Sequence, residues 1–183
     1  GVYFFDDVVA QVGGPVVEQG PTTLIETPIQ GFEAEDTYYA DYQAELSLTS
    51  DAVHSGASAL HITWPEGEWH AFGAYPDPRP FDASGYDAVC FWIYDTTANN
   101  DGAAANTVGV SLIDAAGVKE ELWTDNALAG ENPTTVLNEW VQMCINLSGF
   151  TTVDLTQIDK VQFALYWAGM FYLDDISFGV AAE

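Results

Sequence analysis

Apolar and polar residues alternate over short runs along most of the chain, and no stretch sustains the 3.6-residue period of an amphipathic helix. The alternation predicts strands over residues 57–64, 88–94, 108–113, 120–123, 140–147, 161–166 and 170–178. Turn-forming clusters separate them: Pro65-Glu66-Gly67, Pro76-Asp77-Pro78, Asn99-Asn100-Asp101-Gly102, Ala116-Gly117 and Ser148-Gly149. Short 3₁₀ turns are expected near 82–85 and 154–158. Many short strands punctuated in this way predict an all-β chain, folded as a two-sheet antiparallel β-sandwich of the jelly-roll type.

The first thirty residues read differently. Residues 1–9 form a strand-like run, and Gly13-Gly14-Pro15 opens a Pro/Thr-rich stretch that continues through Pro28. The expected organisation is an N-terminal strand and linker arm over 1–30 and a compact domain over 31–183, starting at Gly31-Phe32-Glu33. The leading run has a counterpart about one domain length downstream. Gly1-Val2-Tyr3-Phe4-Phe5-Asp6-Asp7 and Gly169-Met170-Phe171-Tyr172-Leu173-Asp174-Asp175 share Gly-x-x-x-x-Asp-Asp with apolar residues between. Such a repeat predicts tandem modules, with 1–9 the last strand of a preceding copy, or a strand donated to a neighbouring subunit. With no initiator Met and no signal-peptide pattern, the chain reads as mature or excised from a longer one.

Composition narrows the function classes. A hydrophobic content of 48% supports a full core in 183 residues, and no run approaches the roughly 18 apolar residues of a membrane span. Three basic residues, Arg79, Lys119 and Lys160, face 28 acidic ones for a net charge of −25. Phosphate neutralisation needs Lys and Arg, so nucleic acid is excluded as a partner. Anionic membranes and sulfated or uronic glycans are disfavoured by the same repulsion. Charge of this size also opposes compaction, which points to high salt, bound Ca²⁺ or both, in an extracellular setting.

Strand parity separates two faces. Val89, Phe91 and Ile93, then Val141, Met143, Ile145 and Leu147, then Val161, Phe163 and Leu165, are the expected core positions. The other parity presents Cys90, Trp92 and Tyr94, then Gln142, Cys144 and Asn146, then Gln162 and Tyr166. Rings stack on the apolar side of a pyranose, and amides donate to and accept from its hydroxyls, so this set suits a neutral sugar. The candidate ligand-binding residues are Trp92, Tyr94, Gln142, Asn146, Gln162 and Tyr166, joined by the loop residues Trp69 and Trp167. Trp64, His70, Tyr75 and Trp123 also fall in or near loops. If this face were covered by another element, Trp92 and Tyr94 would be ordinary buried rings. Cys90 and Cys144 share the face, as a bridge or as two buried thiols, with parity favouring the disulfide. His54, His61 and His70 lack metal-ligand spacing, and no nucleophile motif is present, so the chain reads as non-enzymatic.

Several segments occur in an order that resembles the jelly-roll carbohydrate-binding modules of bacterial polysaccharide-degrading enzymes, of the family 11 and family 30 type. They are Gly31-Phe32-Glu33, His54-Ser55-Gly56-Ala57-Ser58-Ala59-Leu60, Tyr86-Asp87-Ala88-Val89-Cys90-Phe91-Trp92-Ile93, Glu139-Trp140-Val141, Ile158-Asp159-Lys160-Val161-Gln162-Phe163 and Phe171-Tyr172-Leu173-Asp174-Asp175-Ile176. In such modules a structural Ca²⁺ ties the first strand to the last. The resemblance therefore implies metal ligands at Glu33, at the carbonyls of Ser55 to Ala57 and at Asp174 or Asp175, with Glu35 adding to the acidic cluster. It implies a secreted, calcium-stabilised module that binds a neutral polysaccharide. The alternative expectation is a structural subunit of an extracellular filament, tube or surface layer, whose partner is another copy of itself, assembled through strand donation and calcium.

Overall fold

A computed structural model describes residues 24–181, apart from 36, 42–43, 65–70, 97–105 and 125–133. The described residues form eleven strands and no α-helix. The strands are β1 (Leu24–Gln30), β2 (Tyr38–Asp41), β3 (Glu45–Thr49), β4 (Ala59–Trp64), β5 (Ala71–Ala74), β6 (Ala88–Asp95), β7 (Val108–Asp114), β8 (Lys119–Trp123), β9 (Trp140–Asn146), β10 (Ile158–Leu165) and β11 (Gly169–Ala181). All their pairings are antiparallel. The first sheet runs β3-β4-β11-β6-β9, with β1 added to β11, and the second runs β2-β5-β10-β7-β8. This is the two-sheet sandwich that the alternation predicts.

The inward positions follow the expected parity. Leu60, Ile62, Val89, Phe91, Ile93, Val141, Met143, Phe171 and Phe178 of the first sheet meet Phe72, Val110, Leu112, Val161 and Phe163 of the second, all buried. Phe91 sets its edge to the Phe163 ring across the interface, with centroids 5.0 Å apart. Trp64, expected at the end of the 57–64 strand in or near a loop, closes β4 and is buried against Phe72.

Three features differ from the sequence reading. Leu24–Gln30 is a strand of the first sheet and not linker, so the sheet begins seven residues before Gly31. Pro28 disguised it, yet β1 pairs on one side alone, and an edge strand tolerates proline. β2, β3 and β5, absent from the alternation, complete the sheets. Of the two expected 3₁₀ turns, the structure forms Leu155–Gln157, adds Leu147–Gly149, and replaces the one near 82–85 by a turn in which Asp82 accepts from Ser84. Residues 1–9 lie outside the described residues.

β11 carries a bulge. Its register on β6 shifts between Asp174 and Ser177, and Asp175 adopts φ 47°, which a short polar side chain accommodates. The extra residue keeps Leu173 and Ile176 both buried. Cys90 and Cys144 are direct cross-strand partners and form a disulfide. The bridge lies on the outer side of the first sheet but is buried beneath Leu24. Leu24 reaches it across Gly179, where an added Cβ would lie 3.0 Å from the leucine side chain.

Candidate functional site

The sandwich has two outer faces, and they differ in how far their polar groups are satisfied. On the first sheet, His61, Tyr172, Tyr94 and Trp140 occupy one register row across β4, β11, β6 and β9. Their rings form a half-buried ladder with centroid spacings of 5.1, 5.9 and 5.5 Å. In the next row, Trp92 is stacked beneath the His54 ring at 3.8 Å. Gln142 donates to Glu26 Oε1 at 2.6 Å, and Asn146 caps the 3₁₀ turn by accepting from Ser148 N–H at 2.9 Å. The polar groups of Gln142 and Asn146 are thus engaged locally.

The outer face of the second sheet is built differently. One register row crosses all five strands as Tyr39, Gly73, Gln162, Ser111 and Glu121; in the next, Asp41 pairs with Ala71 at one edge, and Ala164, Gly109 and Trp123 pair in turn at the other. Tyr39 and Trp123 stand on the two edge strands, and both fold inward over a glycine. A Cβ at Gly73 would fall 2.5 Å from the Tyr39 hydroxyl and 2.6 Å from its ring. One at Gly109 would fall 3.0 Å from the Trp123 indole. The two rings therefore frame a floor of Gly73, Gln162, Ala164, Ser111 and Gly109, and small residues at those positions make room for them.

The polar groups of this floor are organised around Gln162, which is 2% exposed. Its Nε2 donates to Asp41 Oδ2 at 2.9 Å. A carboxylate only accepts, so this bond fixes the amide and leaves Oε1 as the remaining acceptor. Gln162 Oε1 and the Tyr39 hydroxyl are buried and, among the described residues, have no hydrogen-bond partner. Burial pushes the Tyr39 phenol well above its ordinary range, helped by the Asp41 carboxylate, so it stays a neutral donor. On the other side, Glu121 accepts from Ser111 Oγ at 3.0 Å and from Trp123 Nε1 at 3.1 Å, which holds the indole flat.

Beyond Trp123 the face ends in two exposed aromatics. Tyr166 is 64% exposed and Trp167 37%. The Tyr166 ring sets its edge to Trp123 and to Trp167. Buried Asn106 fixes the turn that presents them: Oδ1 accepts from both backbone N–H groups at 3.0 Å, and Nδ2 donates to the Trp167 carbonyl.

The sequence-derived ligand set is therefore split. Gln162, Tyr166 and Trp167 fall on the second sheet and its end, whereas Trp92, Tyr94, Gln142 and Asn146 fall on the first, on the far side of the sandwich. Parity reports which side of a strand a residue occupies; it is silent on which sheet the strand joins. Trp69 lies outside the described residues. Tyr39, Asp41, Ser111 and Glu121 were missed. The alternation of Lys119, Glu121 and Trp123 carried the signal for β8, but Tyr39 had none beyond its aromatic character.

The residues expected to hold calcium converge only in part. Asp174 Oδ2 accepts from the backbone N–H of His54 and Ser55, at 3.0 and 3.2 Å. Asp175 lies 2.6 Å from His54 Nδ1 and accepts from Ser55 Oγ at 2.7 Å, while Glu33 accepts from Ala57 N–H at 2.9 Å. Glu35 is engaged elsewhere, accepting from the Tyr38 hydroxyl. Burial raises the Asp174 carboxyl to about 6. These acids act as acceptors that pin the 54–57 loop to the bulge of β11. Among the described residues no group of three or more His, Cys, Asp or Glu is placed to hold a metal ion.

No family model matches the chain, and no curated protein matches it in sequence. Solved structures do match. The C-terminal family 22 carbohydrate-binding module of Clostridium thermocellum Xyn10B, described for ligand binding in its cleft, is 18% identical with a TM-score of 0.57, over 84% of this chain and 92% of that one. The family 11 module from Clostridium thermocellum, in complex with a β-1,3-1,4-mixed-linked tetrasaccharide, is 16% identical with a TM-score of 0.57, over 86% and 97%. A module pair from the same organism's endo-1,4-β-D-xylanase 10B, a family 22 module joined to a glycoside hydrolase domain and complexed with xylohexaose, gives 10% and 0.59, over 85% of this chain and 28% of that one. The likeness establishes the jelly-roll sandwich of these carbohydrate-binding modules as the fold.

Proposed function

We propose that the chain is a non-catalytic carbohydrate-binding module that holds a β-linked polysaccharide with a neutral backbone on the outer face of the second sheet. The observation that carries this reading is the floor between Tyr39 and Trp123, where Gln162 Oε1 and the Tyr39 hydroxyl lack partners among the described residues. A buried polar group left unpaired costs about 1–3 kcal/mol, and sugar hydroxyls, which donate and accept, are suited to meet both. Rings that frame the floor supply stacking surface for pyranose C–H groups. The acids on this face are occupied as acceptors, Asp41 by Gln162 and Glu121 by Ser111 and Trp123, which favours a holding role over acid–base chemistry. The solved neighbours with xylohexaose and a mixed-linked tetrasaccharide support the ligand class by analogy of fold. The disulfide and the acidic surface support an extracellular location.

Affinity electrophoresis through gels containing xylan or mixed-linked β-glucan tests the reading. The native chain is expected to be retarded, and Trp123→Ala, which removes one framing ring, to lose about tenfold in affinity, on the order of 1.4 kcal/mol. Circular dichroism checks that the variant is folded. Unretarded migration of the native chain through every neutral glycan contradicts the proposal.

A further inference from the structure

The three basic residues of this acidic chain all belong to one end of the second sheet's outer face. Arg79 lies over the Tyr75 ring at 4.2 Å and forks onto Asp159, with Nε–Oδ1 and Nη2–Oδ2 separations of 2.5 and 2.8 Å. Tyr75 in turn packs against Tyr39, centroids 5.1 Å apart. Lys160, Ile113 and Lys119 share one register row across β10, β7 and β8, next to the Gln162 row. Lys119 Nζ is 3.8 Å from Glu121. Lys160 is the exception: its ammonium sits over the Tyr39 ring, 5.5 Å from the centroid, and among the described residues no carboxylate lies within 4.0 Å of it.

In a chain with 28 acids, Lys160 forms no ion pair among the described residues, and the carboxylate it feels, neighbouring Asp159, is forked onto Arg79. The acids that share the face are committed elsewhere: Asp159 to Arg79, Asp41 to Gln162 Nε2, Glu121 to Ser111 and the indole. Among the described residues, Asp159, Asp41 and Glu121 on this face stand against the three cations, and the acids elsewhere act through a screening length of about 8 Å at physiological salt. Lys160 offers three donors, and close by are the two polar atoms that lack partners, the Tyr39 hydroxyl and Gln162 Oε1.

Resting on the glycan reading above, we infer that the Lys160 end of this face is a subsite for a carboxylate-bearing sugar, so that the preferred ligand is a neutral β-linked backbone carrying sparse uronic-acid side groups. The uronate carboxylate accepts from Lys160 Nζ, which stands over the Tyr39 ring. Repulsion from the rest of the molecule then sets an upper limit on acidity, and a polymer charged at every residue is rejected. The overall charge disfavours uronic glycans in general; this end of the face locally reverses that rule.

The test compares a β-1,4-xylan bearing glucuronic-acid side groups with the same polymer after its carboxyls are reduced to alcohols, by isothermal titration calorimetry on the native chain and on Lys160→Gln. The native chain is expected to bind the acidic polymer about tenfold tighter than the reduced one, with the gap narrowing as salt rises. Lys160→Gln is expected to abolish the gap while binding the reduced polymer as the native chain does. Equal affinity of the native chain for the two polymers overturns the subsite and leaves the glycan site standing. So does a Lys160→Gln variant that keeps the gap, or one that weakens both polymers alike. Failure to bind either polymer overturns the glycan reading beneath it, and the subsite with it.

Discussion

Gln162 is the residue on which the site turns. It occupies the centre of a five-strand sheet, buried, with one half of its amide tied to Asp41 and the other half without a partner among the described residues. Folding alone gains nothing from that arrangement, because a buried acceptor without a donor opposes the folded state. Gln162→Met keeps the volume and removes both polar atoms. Its expected outcome is a thermal unfolding midpoint equal to or above that of the native chain, by up to about 1 kcal/mol in stability, with glycan affinity reduced about tenfold. Loss of stability with affinity intact would assign Gln162 to the scaffold and not to the ligand.

At the level of elements, β4 and β6 to β11 were legible because both their faces are informative: one apolar row, one polar or aromatic row. The strands that escaped notice are short or lie at edges. Tyr38–Asp41 and Glu45–Thr49 are half exposed, Ala71–Ala74 has four small or solitary apolar residues, and Leu24–Gln30 contains Pro28. Their places are fixed by pairing partners far along the chain, which local alternation does not encode. The same limit split the site: Gln162 and Tyr166 were recognised as outward-facing, but their neighbours Tyr39 and Trp123 arrive through sheet order. The junctions between elements are fixed by carboxylates. Glu120 of β8 accepts from Thr151 Oγ1 and from the Thr152 and Val153 N–H groups, and backbone hydrogen bonds from Thr151 first, then Thr152, hold its carboxyl down to about 2. A carboxyl lowered in the folded state stabilises above its ordinary value near 4.5 and ceases to do so as pH falls toward 2. Glu120→Gln should therefore flatten the acid limb of the thermal midpoint between pH 4.5 and 2, the two proteins converging at the acid end. Parallel curves over that range would show that the carboxylate does not tie β8 to the turn.

Over the whole molecule, the acids and the three bases are unevenly spread. A net charge of −25 opposes compaction, yet every cation the chain has, Arg79, Lys119 and Lys160, lies at the second sheet's outer face. The two faces divide accordingly. The first sheet stacks its rings on one another, ties Gln142 to Glu26 and Asn146 to a 3₁₀ turn, and buries the disulfide under β1; the second sheet, among the described residues, leaves a donor and an acceptor unpaired between two rings. The most direct test follows backbone amide chemical shifts of the native chain during titration with a β-linked xylo- or mixed-linked gluco-oligosaccharide. Perturbations should concentrate at Gly73, Gly109, Ser111 and Gln162, with Trp92 and Gln142 unmoved. Shifts that instead gather on Trp92, Tyr94 and Gln142 would place the ligand on the opposite sheet and contradict the account.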